Sequence, residues 1–174
     1  MTARERARVR IAARNERGPE RAGVEANGAV TTPARQDWLL EPALAPAVDG
    51  DVISPLYDAA ARGELALPFC ADCELPLELE QQTCDGCGHA GHLWRQVNPR
   101  GSVHAATMMH RREAGLVRAT DPYVIVDVEM ESGHRIVMAT LTPTDAIPRI
   151  GTVVRVGFRR LGDVAIPAVN LEAE

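Results

Sequence analysis

The chain has 174 residues, 45% of them hydrophobic and 25% charged, which suits one ordinary domain or two small ones. Only 3% are aromatic, so any core must be aliphatic, and no apolar run approaches the ~20 residues that cross a bilayer. The net charge of −5 is unevenly placed. Residues 1–36 hold eight Arg and four Glu (+4), and the remainder holds 11 Arg and 20 acidic residues (−9). A folded part this acidic is poorly suited to gripping phosphate backbones, which argues against nucleic acid as a partner.

Residues 1–36 are arginine-rich but lack the apolar stretch of a secretory signal, so a cytoplasmic address is the default expectation. Their low apolar content and scattered Gly and Pro read as a basic, flexible tail; the alternative is an arm that orders on a partner. Residues 37–65 read as a connector and a helix. Trp38-Leu39-Leu40 is too apolar for a free linker, which makes Trp38 and Leu39 candidates for packing on this chain or at a partner interface. Ser54-Pro55 opens the helix, with Ser54 expected to cap it and Pro55 placed where its missing donor costs nothing. It should end near Arg62 with Gly63 as a left-handed stop, burying Leu56, Ala59 and Ala60.

All four cysteines lie in Cys70-Ala-Asp-Cys73 and Cys84-Asp-Gly-Cys87, with ten residues between the pairs. Two Cys-x-x-Cys knuckles at this separation, at the ends of short strands 64–69 and 77–82, describe a zinc ribbon over residues 66–92. Zinc takes four thiolates in a tetrahedron, leaving no open position, so one Zn2+ per chain is expected in a structural role, with no catalytic residue. His89 and His92 are nearby, but four cysteines already saturate the ion. Iron in a rubredoxin-like site would accept the same ligands and would make the chain an electron carrier. Gly88 follows the second knuckle and can take the left-handed turn. Glu74 stands at the equivalent place in the first, where that turn costs about 1–2 kcal/mol more.

Residues 93–174 read as β structure. Ser102 to His110 alternates, with Val103, Ala105, Thr107 and Met109 on one face and His104, Ala106, Met108 and His110 on the other. Tyr123 to Glu131 places Val124, Val126, Val128 and Met130 inward, Ser132-Gly133 is a hairpin turn, and three more strands follow. Five short strands with one longer connection fit a small Greek-key barrel of the OB type. The fold class expected is therefore mainly β: an N-terminal helical arm, a rubredoxin-like zinc ribbon and a C-terminal five-stranded OB-fold barrel. His104 and His110 are candidates for a partner interface, although the plainer reading is solvent-facing side chains. Arg111, Arg112 and Arg118 are the arginines best placed to meet phosphate, with Arg159-Arg160 a weaker second cluster.

The order of these parts resembles the DUF35 family of zinc-ribbon OB-fold proteins. The likeness rests on Leu65-Ala-Leu-Pro-Phe-Cys70-Ala-Asp-Cys73, Cys84-Asp-Gly-Cys-Gly88, the strand from Gly101 to Arg111, Pro122-Tyr-Val-Ile-Val126 and Ile150-Gly-Thr-Val-Val-Arg-Val156. It spans roughly residues 52–170. The resemblance implies a non-catalytic subunit that assembles with a thiolase-like enzyme in a hetero-oligomer. Such a subunit supports carbon–carbon bond cleavage or formation in acyl-CoA chemistry, where Arg111, Arg112 and Arg118 are the candidates for contacting CoA. The reading from a different class is a nucleic-acid-binding ribbon and barrel, against which the acidic charge and the scarcity of stacking aromatics both count.

Overall fold

The computed structural model describes residues 35–111 and 113–171; the expected basic tail, apart from Arg35 and Gln36, lies outside them. The elements are β1 (Arg35–Gln36), a 3-10 turn (Pro42–Leu44), α1 (Ser54–Ala61), β2 (Ala66–Cys70), β3 (His92–Gln96), β4 (Arg100–Met109), β5 (Tyr123–Met130), β6 (Arg135–Ala139), β7 (Val153–Leu161) and β8 (Val164–Asn170). Structure is mainly β, as expected. Strands β4 to β8 make the barrel: β4 pairs antiparallel with β5, β5 with β6, and β7 with both β4 and β8. A parallel bridge between Thr140 and Val169, with Leu141 N–H donating to the Val169 carbonyl at 2.7 Å, brings β6 to β8 and closes the circuit.

The interior is aliphatic. Val124, Val126, Val128 and Met130 alternate inward from β5 and meet Val103, Ile136, Met138, Val154, Val156 and Val169. Leu56 of α1 and Leu65 and Leu67 beside and within β2 belong to the same cluster. The helix, the ribbon arm and the barrel thus share one core, and α1 packs against β8 and β2. Gly101 marks the tightest approach: a Cβ there would sit 2.6 Å from the Glu129 carbonyl oxygen and 2.8 Å from Val128 Cγ1.

The alternation expected along β4 breaks. A bulge between Val103 and Ala105 shifts its register against β5. An inserted residue reverses the side-chain parity beyond it, so Ala106 and Met108 pack on the core while His104, Ala105, Thr107 and Met109 are exposed. His104 therefore does not share a face with Met108. Ser54 also differs from expectation. It is the first helical residue and makes no side-chain cap, and the turn into the helix is held by Asp51, whose carboxylate accepts from Ile53 N–H at 3.0 Å. The stop is as expected, with Gly63 at φ +77°.

A second apolar layer lies outside the barrel. Residues 37–41 run across its outer face, where Leu40 bridges to Val117, Glu41 N–H donates to the Leu116 carbonyl and Arg118 N–H to the Leu39 carbonyl. Leu39, Tyr123 and Ala139 are buried there, with Trp38, Leu40, Val117, Ala119 and Ile125 against them. Beneath this strap, Arg159 and Asp37 form an ion pair of 3.1 Å with side chains only 3% and 1% exposed. Asp37 Oδ1 accepts from the N–H groups of Leu39 and Leu40, and Arg159 lies over the Trp38 ring at 5.6 Å. The expectation that Arg159-Arg160 forms an exposed phosphate-binding cluster is corrected for Arg159, whose charge is spent on Asp37. Removing one member of such a pair leaves a buried charge alone and costs about 3–5 kcal/mol.

His134 joins barrel to ribbon. Its Nε2 lies 2.8 Å from the Pro68 carbonyl oxygen and its Nδ1 2.9 Å from Ser132 Oγ, and its ring meets Phe69 edge to face. The carbonyl can only accept, so Nε2 carries the proton and Nδ1 accepts from the hydroxyl. Burial lowers the His134 pKa below its usual 6.5, outweighing the Pro68 hydrogen bond that raises it. The unfolded chain then takes up this proton first as pH falls, so the stabilisation is complete above about pH 6.5 and is lost progressively below it. Thermal unfolding between pH 7.5 and 5.5 should show a steeper loss of midpoint in the native protein than in His134→Asn; parallel profiles would remove His134 from the account.

Candidate metal centre

The hairpin that carries the ribbon is β2 with β3, paired from Ala66↔Gln96 to Cys70↔His92. The strand expected over residues 77–82 does not form. Pro76 supplies no donor to a ladder, and Gln81 folds the segment on itself, its side chain accepting from Glu78 N–H at 3.0 Å and donating to the Thr83 carbonyl at 2.8 Å. A single bridge from Phe69 to Pro76 remains.

The two knuckles are built alike. Glu74 N–H donates to the Cys70 carbonyl at 3.1 Å, and Gly88 N–H to the Cys84 carbonyl at 2.8 Å. Both fifth residues are left-handed, Gly88 at φ +76° and Glu74 at φ +59°, and Glu74 is the sole non-glycine residue with positive φ among those described. The first knuckle thus keeps the ordinary turn and carries the expected backbone strain at Glu74. Glu74 gains an ion pair with Arg95 Nη2 at 2.9 Å on β3, worth little at this exposed position.

The knuckles bring all four sulfur atoms within 4.8 Å of one another. Cys70 and Cys87 sulfurs are 3.5 Å apart, as are those of Cys73 and Cys84. A tetrahedron of sulfurs at about 2.3 Å from a central ion has edges of about 3.8 Å, so the group fits a four-thiolate metal site. Cys70 and Cys84 are buried and packed with Leu77, and Leu75 covers the group from one side. His89 and His92 are exposed and outside the cluster.

Electrostatics favours a cation here. Backbone N–H groups of Cys73 and Asp72 pull the Cys70 thiol down to about 6, against the opposing effect of burial. The Cys87 thiol also receives a backbone N–H, from His89, but burial and the neighbouring sulfurs outweigh it and push the thiol up to about 12. Burial raises Cys73 as well. One thiolate therefore suppresses ionisation of its neighbours, and a divalent ion reverses that order by deprotonating its ligands outright. Loading should accordingly release at least about two protons per ion near neutral pH, from Cys73 and Cys87. Calorimetry in buffers of different ionisation enthalpy measures this number, and uptake without proton release would contradict a thiolate site.

The other candidates are dispersed. Leu39 is buried within this chain and offers nothing to a partner; Trp38 is half-buried beside it. His104 is exposed, its Nδ1 3.8 Å from Glu129, and His110 is exposed beyond the end of β4. Arg111 is exposed and paired with Glu113, and Arg112 lies outside the described residues. Arg118, also exposed, donates to the Asp37 carbonyl at 3.3 Å. It lines a surface cavity of about 480 Å3 with Trp38, Tyr123, Asp121, Thr144 and Asp145, a feature the sequence reading missed because its walls come from three separate segments.

Residues 94–159 match the family model described as "ChsH2, C-terminal OB-fold domain". A solved structure described as "Ltp2-ChsH2(DUF35) aldolase" contains a chain similar to this one at TM-score 0.59 and 21% identity, over 71% of this chain and 96% of that one. The model match supports the DUF35 family over the residues it covers, and the structural likeness supports the same fold. No curated protein sequence gives a significant match. The matched model spans the barrel from Trp94 to Arg159 and stops short of β8, the ribbon cysteines and the strap, all of which the structure adds to it.

Proposed function

We propose that this DUF35-type chain is a non-catalytic zinc subunit that assembles with a thiolase-like enzyme and supports carbon–carbon bond cleavage or formation on acyl-CoA substrates. The observation that carries this reading is the joining of a ChsH2-type OB-fold domain to a four-cysteine centre through one shared core. Likeness to a chain in an aldolase described by both Ltp2 and ChsH2(DUF35) supports the choice of partner class, with aldol cleavage the first reaction to try. Four sulfurs would complete the coordination of zinc and leave it no position for substrate or water, which makes its role architectural. A reducing compartment, the cytoplasm, suits thiols kept free for metal.

Surfaces, rather than a pocket of reactive groups, would then do the work. His104 and His110, exposed along and just beyond β4, are proposed contacts with the partner. Contact with CoA through Arg111, Arg112 and Arg118 is a subsidiary part of the proposal. A phosphate would compete with Glu113 for Arg111 and with the Asp37 carbonyl and nearby Asp121 for Arg118. Binding of nucleic acid is the weaker alternative, because the −9 balance of residues 37–174 opposes it.

Assembly tests the proposal. Co-expression with a thiolase-like aldolase encoded beside this chain should give a complex that survives size-exclusion chromatography. Cys84→Ser should abolish that complex without removing any reacting group, because loss of one ligand opens the ribbon. Separate elution of the two native proteins, or full aldolase turnover with this chain absent, would overturn the reading.

A further inference from the structure

The cavity beside the strap shares no lining residue with the metal centre. Its aromatic wall is Trp38 and Tyr123, set edge to face with ring centroids 6.5 Å apart. The Trp38 indole is held in place twice over, by its Nε1–H donating to the Thr140 carbonyl at 3.0 Å and by the Arg159 guanidinium over its ring. Tyr123 is buried in the outer apolar layer. Two acidic residues, Asp121 and Asp145, also line the cavity, contributed by the β4–β5 and β6–β7 connections. Both are exposed. Among the described residues neither is in an ion pair; Asp121 accepts only the Thr120 hydroxyl, at 3.4 Å.

One cation, Arg118, also lines the cavity, and one of its terminal nitrogens is engaged by the Asp37 carbonyl. Two carboxylates against one arginine leave the walls net negative. A rigid aromatic surface attracts a cation through its ring quadrupole, and carboxylates alongside supply charge-assisted acceptors in the paired geometry a guanidinium matches. Anions meet the opposite balance, so a guanidinium here competes with the subsidiary CoA contact at Arg118 and leaves the rest of the assembly reading untouched.

We propose that this cavity is a binding site for a guanidinium group. Its bearer is either an arginine side chain displayed on a protein or a small free guanidinium compound. The site depends on the strap, which the Asp37–Arg159 pair, the Leu40–Val117 bridge and the Arg118 N–H bond to the Leu39 carbonyl hold on the barrel.

The test uses the full chain and the NMR signal of the Trp38 indole N–H, identified by comparison with Trp94→Phe. Ethylguanidinium should shift that signal saturably in the millimolar range, and Asp121→Asn/Asp145→Asn should weaken the binding roughly tenfold. Both carboxylates are exposed, so this variant keeps the fold. Tighter binding of acetyl-Gly-Arg-Gly-amide than of ethylguanidinium would assign the site to a protein-borne arginine, and equal binding to a small cation. The proposal is overturned by the absence of a saturable shift, by unchanged affinity in the double variant, or by inorganic pyrophosphate shifting the same signal more tightly than ethylguanidinium.

Discussion

Four sulfur atoms confined within 4.8 Å of one another set the terms for the rest of this structure. Without a central cation, ionising one thiol makes ionising the next harder, as the opposite displacements of Cys70 and Cys87 show. A divalent ion bound there would turn that conflict into a strong local interaction, since structural zinc contributes about 10–16 kcal/mol in small peptides. The strain at Glu74, about 1–2 kcal/mol, is minor on that scale. This is why a charged residue can occupy the left-handed position that Gly88 fills in the other knuckle. The ribbon has little else to hold it: the segment from Glu74 to Gly91 contains no regular strand. Its only hairpin, β2 with β3, is anchored from the barrel side by His134 and by Leu65 and Leu67 in the shared core.

A second constraint works at the opposite surface. The barrel's inner face is filled by the aliphatic side chains of its strands together with Leu56 of α1 and Leu65 and Leu67 of the ribbon arm. Its outer face at β5, β6 and β7 carries Tyr123, Ile125, Ala139 and Arg159, which require a cover. Residues 37–41 supply it, and the Asp37–Arg159 pair fixes their place. The unit that folds is therefore larger than the matched residues 94–159: it takes a helix and an arm from before the ribbon and a strap from before the helix. From Arg35 onward the chain lies first on the barrel, then builds the ribbon and returns.

Much of this was legible in residue order. The cysteine spacing, the inward valines of β5, the Ser132-Gly133 turn and the Gly63 stop are local patterns with a single physical reading. Most of the misreadings involve a partner distant in sequence; the Ser54 cap, whose role Asp51 takes, is a local exception. Alternation along β4 could not show the bulge after Val103, which exists only in register with β5. Arg159 looked like surface charge because its counter-ion, Asp37, lies 122 positions earlier (159 − 37). Leu39 packs on this chain, the first of the two alternatives its sequence context left open, against a face built from β5 and β6. The segment 77–82 has the apolar spacing of a strand, but no ladder forms beyond Pro76, and β3 takes its place beside β2.

A four-cysteine centre, a core shared by helix, ribbon arm and barrel, and a strap over the barrel's outer face together define this structure. All of these rest on what the four cysteines hold. The most direct measurement is elemental analysis of the purified full-length protein together with its visible absorption spectrum. The account predicts about one zinc per chain and a colourless solution. Stoichiometric iron with visible thiolate-to-iron absorption would contradict it and make the ribbon a redox centre, and a folded protein carrying no tightly bound metal would remove the constraint from which the structure has been explained.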